Sequence, residues 1–145
     1  MPVAIHIGFT KAASTYLQAV FAAHPGIHSP DRAEVFRVLA LDNGLFYEPG
    51  SLDRYVRAQV ELAGGRPVVL SHERLSGNPH SGYYDCDRIA ERIAEVKPVR
   101  AIIAIREQYA MIASTYKQYV RIGGCLSLPE YVAPPRDSRA PLFDW

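Results

Sequence analysis

Ile5-His6-Ile7-Gly8-Phe9-Thr10-Lys11-Ala12-Ala13-Ser14-Thr15-Tyr16-Leu17 is the stretch whose reading decides the fold. The apolar run from Val3 to Ile7 reads as a buried strand, and Leu17, Val20 and Phe21 fall on one face of a following helix. Between them stand a glycine, a lysine, small alanines and two hydroxyls. A strand that turns through small residues into a helix aims several backbone N–H groups at one point, at the positive end of the helix dipole. Lys11 adds a point charge, and Ser14 and Thr15 add hydroxyl donors. The stretch reads as a phosphate cradle. The plain alternative is a strand–helix turn with Ser14 as its N-cap. It is not a Walker A loop, because Lys11 precedes the small residues instead of following a second glycine.

Outward from this stretch the chain alternates. A helix is expected over 14–23, ended by His24-Pro25-Gly26. Asp31 caps a second helix to about Leu41 with the stripe Val35, Val38 and Leu39, and Asp42-Asn43-Gly44 reads as a turn. Ser51 caps a third helix closed by Gly64-Gly65. A continuously apolar strand spans 67–71, followed by a polar loop over 76–84. Asp85 or Asp87 caps a helix to about Val96, bearing Ile89, Ile93 and Val96. A third strand covers 99–105, and a last long helix covers 106–122, stopped by Gly123-Gly124. Residues 125–145 read as a proline-rich, irregular tail. The expectation is a single domain of class α/β, three-layer αβα, with a parallel sheet and helices on both faces. Tyr83, Tyr84, Tyr109, Tyr116 and Tyr119 read as core or groove lining.

Composition bounds the partners. The 145 residues suffice for one core, and a formal net charge of +1 excludes a polybasic nucleic-acid binder. An anion must then be held by a few placed groups. Cys86 and Cys125 lack metal spacing and read as unpaired thiols of a reducing compartment. No apolar run approaches the ~20 residues of a membrane span, and no signal peptide is evident, so a cytoplasmic protein is expected.

Ligands of a parallel sheet bind at the carboxyl ends of its strands. Three such ends carry polar residues: Gly8 to Thr15, then Ser71-His72-Glu73, then Arg106. Ser114 follows Arg106 by eight residues, two turns into the helix, so both can grip one phosphate. His72 and Glu73 offer a general base within reach of the cradle. The plain readings are a surface arginine, a helix-face serine, a Glu73 paired to an arginine and a polar-rim His72.

Together these residues resemble the sulfotransferases that use 3′-phosphoadenosine 5′-phosphosulfate. Gly8-Phe9-Thr10-Lys11-Ala12-Ala13-Ser14-Thr15-Tyr16-Leu17 aligns with the family's loop G-x-P-K-[ST]-G-[ST]-[ST]-x-L, with Thr10 at its proline and Ala13 at its second glycine. An alanine fits there provided the backbone is not left-handed. Arg106 and Ser114 have the spacing of the family's 3′-phosphate signature. The resemblance covers residues 3 to about 124 and implies a P-loop-like sulfotransferase fold. It implies that Gly8, Phe9, Thr10, Lys11, Ala12, Ala13, Ser14 and Thr15 bind the 5′-phosphosulfate and that Arg106 and Ser114 bind the 3′-phosphate. Lys11 would be catalytic, with Glu73, or else His72, as the base. It implies transfer to a small-molecule or carbohydrate acceptor, with the bisphosphate as product and no metal. The family's C-terminal clamp is expected to be missing. Two other classes fit the same residues: a P-loop small-molecule kinase, and a non-catalytic nucleotide-binding module.

Overall fold

The structure is a computed structural model that describes residues 2–8, 11–41, 47–77 and 85–133. Strand β1 (Val3–Gly8) lies at the centre of a three-stranded sheet of order β2-β1-β3, with β2 at Val68–His72 and β3 at Val99–Ala104. Both pairings are parallel, and their registers set Ile7 beside His72 and Gly8 beside Ala104. The carboxyl ends of all three strands therefore lie at one edge of the sheet. This is the α/β architecture expected, with a small sheet compatible with an αβα fold.

Helices α1 (Ser14–Ala23), α2 (Arg32–Phe36), α3 (Ser51–Leu62) and α4 (Cys86–Ala94) fill the crossovers, and α5 (Gln108–Arg121) follows β3. A π-helical turn, Arg37–Leu41, prolongs α2 to the expected end. The core gathers where the apolar stripes predicted it. Val35, Leu39, Leu52, Leu70 and Ile89 are fully buried with Ile5 of the central strand. Arg88 and Arg92 of α4 close the end of the π turn, donating to the carbonyls of Ala40 (3.2 Å) and Leu39 (3.1 Å). Cationic donors suit the carbonyl end of a helix.

Several expectations are corrected. Ser14 is the first residue of α1 and not its cap; Ala13 holds the cap position, and no side chain bonds there. The stripe Leu17, Val20 and Phe21 is only half covered, and Ser14 is the buried residue of α1. Gly50, and not Ser51, caps α3. The helix after β3 starts at Gln108, because the Glu107 side chain accepts the amides of Tyr109 and Ala110 (both 2.8 Å). The expected irregular tail contains a helix, α6 (Leu128–Val132), closed by a Ser127–Glu130 capping box. Its Tyr131 packs with Tyr116 and Tyr119 of α5, whereas Tyr109 is exposed.

The largest departure is at β3. Helices are expected on both faces of the sheet, yet in this strand only Val99 and Ala104 are half-buried, and Ile102 and Ile103 are exposed. Helices do not sheathe the sheet evenly. The expected turn at Asp42-Asn43-Gly44, most of the loop up to Tyr84, and residues 134–145 lie outside the described residues.

Candidate functional site

The cradle begins where β1 ends. A Cβ on Gly8 would collide with the Ser14 hydroxyl and lie 2.8 Å from Ser14 Cβ, so glycine is required for α1 to start against the strand. Ser14 is consequently buried, its side chain turned toward the strand end. Phe9 and Thr10 lie outside the described residues. Lys11 (φ 66°) and Ala13 (φ 60°) both take left-handed backbone. The expectation for Ala13 is thus overturned: the residue at the family's glycine position does adopt the conformation that glycine favours. A Cβ in that region costs on the order of 1 kcal/mol, and such strain persists only where the surroundings impose it. Ala13 stands directly before Ser14, which packs against Gly8.

The first turn of α1 carries no acidic residue and no side-chain cap. Its amides present main-chain dipoles at the end of the strand–helix turn. α5 differs, since Glu107 already fills its N-terminus. Ala12 is buried inside the turn, and Thr15 is exposed. Beneath the turn, His6 is fully buried, its Nδ1 sharing a 2.7 Å hydrogen bond with Ser71 Oγ of β2. Its ring meets Phe21 of α1 edge-on at 5.7 Å. Burial holds the His6 imidazole below its ordinary value, so it packs as a neutral ring.

The third strand end joins the cradle. Arg106 donates from Nη1 to the Lys11 carbonyl at 3.1 Å, across 95 positions of sequence. Its guanidinium thus lies on the loop it was expected to assist. Ser114 stays half-buried on α5, and among the described residues no hydrogen bond joins it to Arg106.

The second strand end lies on the other side of β1. Ser76, in the 3₁₀ turn Glu73–Ser76 after β2, donates to the Gly8 carbonyl (3.3 Å) and ties the two ends together. His72 is buried, stacked on Phe36 at 4.5 Å, and its Nδ1 accepts the Arg74 backbone amide at 3.0 Å. A neutral imidazole that accepts at Nδ1 carries its proton on Nε2. Burial, with help from Arg32 and Arg74, keeps it neutral against the pull of Glu73. As it stands, His72 is a donor at Nε2 and not a base.

Glu73 is the reverse case. Burial pushes its carboxyl up, but the Gln18 amide, its own backbone amide, His72 and Arg32 together hold it below the usual value. Gln18 Nε2 donates to Glu73 Oε2 at 3.1 Å, and Arg32 Nη1 lies 3.9 Å from the same oxygen. Gln18 and Arg32 are residues that the sequence reading missed. Their only trace is position: Gln18 lies one turn into α1 from the cradle, and Arg32 follows the Asp31 cap.

Among the described residues, no three His, Cys, Asp or Glu side chains group closely enough to hold a metal ion, and no helix is long and apolar enough to cross a membrane. No family model, no curated protein and no solved structure matches the chain.

Proposed function

We propose that this protein is a sulfotransferase that moves a sulfuryl group from 3′-phosphoadenosine 5′-phosphosulfate to a hydroxyl or amine acceptor. The observation that carries the reading is the hydrogen bond from Arg106 to the Lys11 carbonyl. It joins a second cation to a loop whose helix has no acidic residue in its first turn. Two phosphates on one nucleotide require two such groups side by side. Glu73, at the neighbouring strand end, supplies a carboxylate on the other side of β1.

In this reading the first-turn amides of α1, with Thr15 and Ser14, hold the 5′-phosphate. Lys11 neutralises charge on the leaving phosphate oxygen as the sulfur–oxygen bond breaks. Glu73 takes the acceptor proton as the acceptor oxygen or nitrogen bonds to sulfur. The tautomer of His72 favours Glu73 in that role, and His72 can donate from Nε2. Arg106, with Ser114 two turns along α5, reads the 3′-phosphate. The cytoplasmic location and the carbohydrate or small-molecule class of acceptor belong to the same proposal.

The test is calorimetric binding of 3′,5′-adenosine bisphosphate against 5′-AMP. Charge-assisted bonds to the 3′-phosphate are expected to favour the bisphosphate by about tenfold or more, and Arg106→Ala to erase the advantage. Equal affinity in the parent chain overturns the reading. Magnesium-dependent ATP binding tighter than either would replace it with a kinase.

A further inference from the structure

Helix α1 carries two anchors on one face. Ser14 and Gln18 are an i,i+4 pair, about 6 Å apart along the helix axis. Ser14 packs against Gly8 at the end of β1. Gln18 donates from Nε2 to Glu73 Oε2, just past the end of β2, at 3.1 Å. Phe21, one turn further on, meets the His6 ring. The helix that opens at the cradle is thereby seated on both strand ends.

Gln18 is engaged at both ends of its amide. Its Oε1 accepts from Arg32 Nη1 at 3.1 Å, and the same nitrogen lies 3.9 Å from the Glu73 oxygen that Gln18 bonds. The reverse orientation would set a carbonyl against a carboxylate and an amide against a guanidinium, so the partners fix which way the amide faces. The other acids of α2 are engaged elsewhere. Asp31 accepts the amides of Ala33 (2.9 Å) and Glu34 (3.1 Å), and Glu34 faces Arg37 at 3.7 Å. Burial raises the Glu73 carboxyl; Gln18 leads the groups that lower it, ahead of its own backbone amide, His72 and Arg32. An amide is neutral, so it holds a carboxylate without cancelling its charge, whereas a closed guanidinium pair would cancel it.

We propose that Gln18 is a positioning residue, which sets the Glu73 carboxylate at a fixed place relative to the cradle and holds Arg32 off it. That Glu73 serves as a base there rests on the sulfotransferase reading; the positioning does not. One rigid helix then carries both the amides that hold a phosphate and the group that orients the base, and transfer between two bound partners depends on such fixed geometry.

The test follows the carboxyl carbon of Glu73 against pH by carbon-13 NMR in the full chain. A freed Arg32 would close on Glu73 and mask the loss of Gln18, so the variants are made in the Arg32→Ala chain. Arg32→Ala alone should raise the Glu73 titration only slightly, because the pair is loose and half exposed. Adding Gln18→Met, which keeps the length and removes the donor, should raise it by about one further pH unit. Gln18→Lys in the same chain restores a donor of similar reach and should bring the titration back to the Arg32→Ala value or below. No further rise with Gln18→Met, or a titration left high by Gln18→Lys, overturns the proposal, since packing alone would not distinguish the two. Adenosine 3′,5′-bisphosphate and 5′-AMP are titrated into the parent chain alongside. A 3′-phosphate preference without the rise refutes the positioning role alone. The rise without that preference refutes the sulfotransferase reading and leaves the positioning intact.

Discussion

Strands β2 and β3 flank the same central strand, run in the same direction and are both apolar, yet they differ in burial. Every residue of β2 is buried, whereas β3 is exposed from Arg100 to Ile103. The seam between β1 and β2 is closed by the His6–Ser71 bond, the Ser76–Gly8 bond and the helical core behind it. At the end of the β1–β3 seam, the bond from Arg106 to Lys11 is the tie to the cradle. The two halves of the candidate site inherit this difference. The half with His72 and Glu73 is built into the core. The half with Arg106 stands on an open edge and can respond to what binds.

The largest effect should come from cutting the closed seam. Leu70→Ala removes a fully buried side chain from β2 and is expected to cost about 2–5 kcal/mol in a urea unfolding experiment. Ile103→Ala on the exposed β3 (57%) is expected to cost well under about 1 kcal/mol. Similar costs for the two would break the comparison, showing that β3 is covered in solution.

Gly8→Ala drives a methyl into Ser14 at the junction of both seams. A loss of about 1–3 kcal/mol is expected from overpacking, and under the proposed function weaker bisphosphate binding should accompany it. An alanine tolerated without loss in either measurement would show that the cradle does not depend on this close approach.

The third effect is acid sensitivity of the closed seam. Burial depresses the His6 imidazole below its ordinary 6.5, so the unfolded chain binds the proton more readily. Stability is therefore full above pH 6.5 and falls as the pH drops from there through the folded value. His6→Gln should flatten that part of a stability–pH curve. An unchanged slope would assign it to other groups.

Ala13→Gly is expected to act in the opposite direction. It relieves a left-handed alanine (φ 60°), and a gain of at most about 1 kcal/mol should appear as a higher unfolding midpoint. A lower midpoint would show that the loop gains more from the restricted unfolded chain than it loses to strain.

Much of the scaffold was legible locally. The stripe Val35, Val38 and Leu39, the Asp31 cap, and the register of Ile89 and Val96 follow from side-chain spacing, and all are found as expected. The positions of the three polar strand ends were legible too, because parallel strands joined by helices bring their carboxyl ends to one edge. The division of chemistry between His72 and Glu73 was not. The two are adjacent in sequence, and the Arg74 amide on Nδ1 and the Gln18 amide on the carboxylate set them apart.

The sequence by itself determined the alternation of elements, the α/β class and the residues that meet at the sheet edge, since these rest on periodicity and turn chemistry within short windows. Tertiary structure alone decided the rest. Ala13 is left-handed at the turn that brings Ser14 against Gly8. Gln18 holds Glu73 across 55 positions. β3 is apolar but uncovered, because burial depends on which distant elements pack against a strand and not on the strand's own residues.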